Sequence, residues 1–144
     1  MYELTKKKST GLRIVYGIVI CIFISGALRM AFQEPEFSLN EKMIKAANEI
    51  NSHAPIIIDS ATRFDNVNAL QGDVFQYNYT LTTLERTEVD TILLKTTGRE
   101  SMIQQMKQDP RISVFRENNI EVRLRYSDKN GADIMTISIL PGEY

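Results

Sequence analysis

Catalysis near neutral pH asks first for a histidine or a reactive thiol, and this chain has one of each among its 144 residues. His53 stands at a helix end beside Pro55, where an imidazole would serve as a general base. No spacing of serine, cysteine or carboxylate around it marks a triad, so a loop or helix-capping role is the simpler expectation. Cys21 lies in an apolar run after bulky Ile20, where a lipoprotein signal needs a small residue. A single cysteine excludes an intramolecular disulfide and a cysteine-based zinc cage. The 7 glycines are scattered rather than grouped into a phosphate-cradling loop. Asp59 and Asp65 flank Arg63 without the spacing of a calcium loop. No metal, cofactor or catalytic residue is therefore expected.

Recognition chemistry is better represented. The densest polar stretch is Asp59-Ser60-Ala61-Thr62-Arg63-Phe64-Asp65. It reads either as a recognition or ion-pair site at a strand end, or as an Arg63–carboxylate pair with turn hydrogen bonds around Thr62 and Asn66. Phe75-Gln76-Tyr77-Asn78-Tyr79 has the composition of an aromatic platform for single-stranded nucleic acid. Alternation, however, puts its three rings on one apolar face, which makes them core. Gln76 and Asn78 then share a wet face with Arg123 and Arg125. The candidate partner-binding residues are Asp59, Thr62, Arg63, Asp65, Gln76, Asn78, Arg123 and Arg125.

The elements that must position these residues follow from pattern. Ser38-Leu39-Asn40-Glu41 has capping-box spacing, and Leu39, Met43, Ala46, Ala47 and Ile50 form a helical stripe behind it. Pro55 ends that helix. Ile56-Ile57-Ile58 opens a strand toward Thr62 and Phe64, and Asn66 to Asp73 reads as turn. Val74–Leu81, Ile120–Tyr126 and Asp133–Leu140 alternate with period two, each with one buried and one wet face. Between them, Thr87 to Asp90 looks like a helix start, Gly98 a break, Met102, Ile103 and Met106 another apolar turn, and Asp109-Pro110 a capped last turn. Asn130-Gly131 suits a tight turn. The alternations predict Leu124 opposite Met135, Val122 opposite Ile137 and Ile120 opposite Ile139. The fold class is α+β: a four-stranded, mostly antiparallel sheet packed on one face by helices, in the order α-β-β-α-β-β.

Composition bounds the rest. A hydrophobic fraction of 43% and a charged fraction of 24% exclude wholesale disorder, and the length allows one domain. The net charge of −1 averages two unlike pieces: residues 1–32 balance to +4, five basic side chains against Glu3, and residues 33–144 balance to −5, 12 basic against 17 acidic. A basic surface for nucleic acid is not expected on the body. Ile14 to Leu28 is uncharged and apolar; extended through Arg29 to Phe32 it makes a helix of about 28 Å, close to the bilayer core. The lysines before it and the glutamates after it place the N-terminus inside the cell and the body outside. The expected organisation is a cytoplasmic tail (1–13), a transmembrane anchor (14–32), a linker (33–38) and an exported domain (39–144). The competing reading is a cleaved signal, with Lys6–Arg13, Ile14–Ile24 and Ser25-Gly26-Ala27 as its three regions.

The stretches 59–67, 75–81 and 126–131 resemble an uncharacterised group of small exported bacterial proteins. In that group a hydrophobic or lipid-bearing N-terminus precedes one α+β domain. The resemblance covers residues 39–140 and implies export and architecture, but no reaction. The function expected is a non-enzymatic, membrane-tethered binding or accessory module of an envelope assembly, with a protein partner in or near the inner membrane. The alternatives are a carrier of a small ligand or peptide, and a small hydrolase using His53.

Overall fold

A computed structural model of the protein describes residues 27–33 and 35–144. Helices α1 (Ala27–Phe32) and α2 (Leu39–Asn51) lead into strands β1 (Ile56–Ile57), β2 (Thr62–Leu70) and β3 (Val74–Leu81). A helical crossover follows: a 3₁₀ turn at Arg86–Glu88, α3 (Thr91–Leu93), a π turn (Leu94–Gly98), α4 (Arg99–Gln108), a second 3₁₀ turn at Pro110–Ile112, and α5 (Ser113–Glu117). Strands β4 (Glu121–Ser127) and β5 (Asp133–Ile139) close the domain.

The capping signals at Ser38 and Asp109 hold. Ser38 caps α2, its hydroxyl accepting from the Glu41 N–H while the Glu41 carboxylate accepts from the Ser38 N–H at 2.8 Å. Met43, Ala46, Ala47 and Ile50 are buried along one stripe. At the far end the Asn51 amide both donates to the Val67 carbonyl and accepts from the Val67 N–H, each at 2.8 Å. The side chain thus acts as a short strand against β2 beyond the reach of two-residue β1. Asp109 caps the second 3₁₀ turn with Pro110 at its first position, and Ile112 and Phe115 are buried. Gly98 departs from expectation: it is helical and buried, and the helix runs through it. The cost of a helical glycine, about 1 kcal/mol, is offset by packing of Leu94 and Met102 on either side, both fully buried.

The sheet has five strands, not four, in spatial order β1-β2-β3-β4-β5, and it is mixed. Three pairings are antiparallel, but β3 and β4 run parallel, Val74 opposite Glu121 and Tyr79 opposite Tyr126. The helical crossover is the cause: it carries the chain back along the sheet before β4 begins, as a parallel pair requires. The stretch expected as turn from Asn66 is strand as far as Leu70, because a β-bulge inserts Asp65 between the pairs Phe64–Tyr79 and Asn66–Asn78. The bulge changes the in–out parity, which hides a nine-residue strand from a period-two reading. The true turn is three residues, with Gly72 and Asp73 at φ +80° and +57°.

The register expected for the last hairpin is wrong by two residues. Val122 lies opposite Ile139, Leu124 opposite Ile137 and Tyr126 opposite Met135. One residue of the shift comes from Ala132, which joins the loop when its carbonyl accepts the Asp128 N–H at 2.8 Å. The other comes from a bulge at Ile134, between the Tyr126 and Ser127 pairings. The even shift keeps Met135 to Ile139 on their expected faces, whereas the bulge turns Asp133 to the open face and buries Ile134.

Among the described residues, helices cover one face only. Phe64, Phe75, Tyr77, Tyr79, Leu124 and Tyr126 meet Met43, Met102, Met106 and Phe115 in one core, where each fully buried side chain contributes about 1.5–3 kcal/mol. Leu28 and Ala31 belong to that core as well. Residues 28–32, read from hydropathy as the end of a membrane span, therefore pack on the domain. Among the described residues no helix is long and apolar enough to cross a membrane. The expected tail and residues 14–26 of the expected anchor, Cys21 among them, lie outside the described residues.

Candidate partner-binding face

The uncovered face of the sheet gathers most of the polar residues singled out above. On β2 the bulge at Asp65 turns Arg63, Asp65 and Asn66 to the open side, while Phe64 and Val67 stay in the core. On β3 alternation supplies Gln76, Asn78 and Thr80, and on β4 Glu121, Arg123 and Arg125. Register then sets them in rows. Asn68, Gln76, Arg123 and Ser138 form one row; Asn66, Asn78, Arg125 and Thr136 form the next.

These groups are paired among themselves. Arg63 Nε donates to Asp65 Oδ1 at 2.6 Å, Thr80 Oγ1 donates to Asp65 Oδ2 at 2.6 Å, and Arg63 Nη2 reaches Thr80 Oγ1 at 3.4 Å. The three close a triangle across two strands. Beside it Gln76 donates to Asn78 at 3.0 Å and Asn78 to Asn66 at 2.7 Å. Arg123 Nε meets Glu121 at 2.6 Å and Arg125 Nε meets Asp133 at 2.8 Å. The bond to Glu121 raises the Arg123 pKa further, against a smaller opposing effect of burial. The result is a flat surface of guanidinium, carboxylate and amide groups already held in place, which suits hydrogen bonding to another protein surface.

Two nominated residues are elsewhere. Thr62 is 1% exposed and turns to the core side with Phe64, so it cannot reach this surface. Asp59 lies in the loop between β1 and β2, where its carboxylate accepts from the Ala61 N–H at 2.7 Å and shapes the turn. Seven residues of the face were not nominated: Asn66, Asn68, Thr80, Glu121, Asp133, Thr136 and Ser138. Thr80 and Glu121 were visible in the alternation, whereas Asn66 was hidden by the bulge. His53 is exposed after the end of α2, its Nε2 3.8 Å from Glu49 Oε1 one turn back. Among the described residues no cluster of His, Cys, Asp or Glu is arranged to hold a metal ion.

A second polar site is structural. Asp128, 4% exposed, accepts from the N–H groups of Asn130 and Ala132 at 2.8 and 2.9 Å and of Arg86 at 3.2 Å. Burial alone would raise its pKa; the three N–H donors, with Lys129 nearby, hold it below the ordinary aspartate range. It ties the β4–β5 turn to the start of the crossover. At the C-terminal end, Tyr144 is buried and its hydroxyl donates to the Ile120 carbonyl, while Glu143 pairs with Arg99 at 2.6 Å.

A family model described as a domain of unknown function, DUF8479, matches residues 38–135. No curated protein matches the chain. Among solved structures, a Pseudomonas aeruginosa protein thought to be secreted superposes with a TM-score of 0.60 at 10% identity, over 73% of this chain and 91% of that one. At that identity the likeness is one of fold.

Proposed function

Because this chain belongs to the family defined by the domain of unknown function DUF8479, we propose that it is an exported, non-enzymatic accessory module that binds a protein partner in the cell envelope through its open sheet face. The observation that carries this reading is the division of labour across the sheet. One face is consumed by the core, and the other sets Arg63, Asp65, Asn78, Arg123 and Arg125 side by side with no helix of the described residues over them. Export is supported by the basic, then apolar, N-terminal segment and by the fold likeness to a protein thought to be secreted.

Photo-crosslinking in the native host tests the reading. A crosslinking side chain placed at Asn78 or Arg123 is expected to give one discrete, salt-sensitive adduct. The same group at Ile92, which is 75% exposed on the crossover, is expected to give none. Adducts of equal strength from both positions, or from neither, overturn it.

A further inference from the structure

The packing of α1 bears on how the chain is processed. Leu28 and Ala31 are 1% and 3% exposed, and Phe32 meets Phe115 edge-on with ring centroids 6.4 Å apart. Leu28 and Ala31 are thus committed to the interior of the domain, with Phe32 packed against it, although Met30 on the same helix is 74% exposed. The apolar run that remains, 14–27, would span only about 21 Å as a helix, against a hydrocarbon core of ~30 Å. That length matches the apolar region of an export signal. Ser25 and Ala27 put small side chains three positions and one position before Leu28, the pattern that a signal peptidase reads.

We infer that the chain is cut between Ala27 and Leu28 during export, and that Leu28 is the first residue of the mature domain. Water adds across the Ala27–Leu28 amide, leaving the new carboxylate on Ala27 of the released leader and the new ammonium on Leu28. The cut precedes folding, because docking of α1 buries Leu28. It also keeps with the domain the side chains of α1 that pack into it; a cut a few residues later would discard Leu28 and Ala31. The anchor expected from hydropathy is replaced by a leader that is removed. This inference rests on export but not on the sheet face, so the two readings can fail separately.

The test uses the full chain without a tag, since Tyr144 is buried, produced in a Gram-negative host and followed by fractionation and intact mass. The expected product is periplasmic, soluble and begins at Leu28. An Ala27→Phe variant is expected to accumulate uncut in the membrane fraction, at least tenfold over the parent. An exported parent that stays full-length in the membrane, or begins at another residue, overturns the inference and leaves export standing. Cytoplasmic full-length protein overturns both, and an Ala27→Phe chain cut like the parent overturns the assigned site.

Discussion

The two faces of the sheet are made from the same strands, alternate residue by alternate residue, and they are built on opposite principles. On one face Tyr79 stacks on Tyr126 across the parallel β3–β4 seam at 5.5 Å, and Phe75 packs at 5.2 Å on Phe115 of the crossover. On the other, the same seam carries Gln76 and Asn78 beside Arg123 and Arg125. Burial gives the first face its energy, with rings and aliphatic groups removed from water. Exposed ion pairs such as Arg125–Asp133 contribute only about 0–1 kcal/mol each. Stability therefore leaves the open face largely unconstrained, and its residue types are available for recognition.

The contrast is broken or sharpened most strongly by Phe75→Ala. Phe75 is fully buried between Tyr77 and Phe115, and its loss is expected to cost about 3–5 kcal/mol. The urea midpoint should fall with the slope unchanged; a loss under about 1 kcal/mol would remove the energetic side of the comparison.

Asp128→Ala asks whether a buried, fully partnered carboxylate behaves like core, and its effect should fall between the other two. The variant leaves three backbone N–H groups without their acceptor. Because the folded pKa of Asp128 is depressed, its contribution is present above the unfolded value, near 3.9. It is lost as pH falls through the folded value. Urea midpoints measured against pH should show parent and variant well separated at neutral pH and converging below about pH 4. A constant gap down to pH 2 would assign the effect to packing instead.

The smallest effect belongs to Arg125→Ala, expected within about 1 kcal/mol of the parent and accompanied by weaker crosslinking from Asn78. A stability loss above about 2 kcal/mol with crosslinking unchanged would make the open face a structural ladder.

Legibility followed the range of the interactions. The Ser38–Glu41 box and the Asp109-Pro110 cap are closed within three residues, and both form as their spacing predicts. The period-two stretch 74–81 is a strand from end to end. Of the nominated surface, Arg63, Asp65, Gln76, Asn78, Arg123 and Arg125 do share one face, because alternation alone assigns a side. Thr62 lies two residues before Phe64 and so shares its buried side, and Asn66 escapes a period-two pattern because a bulge inverts parity without leaving a composition signal.

The sequence by itself determined which aromatic and aliphatic residues are buried along β3 and β4, where α2 starts, and that the N-terminal segment is basic and apolar unlike the body. These are properties of near neighbours and of amphipathic period. Tertiary structure alone decided that β3 and β4 run parallel, that the last hairpin pairs two residues from its expected register, and that Leu28 and Ala31 belong to the core rather than to lipid. Each of those depends on a contact between segments far apart in the chain: the crossover with the sheet, a bulge with its partner strand, α1 with α2 and Phe115. No local pattern records such partners. An apolar run has the same hydropathy whether a bilayer or a folded domain covers it.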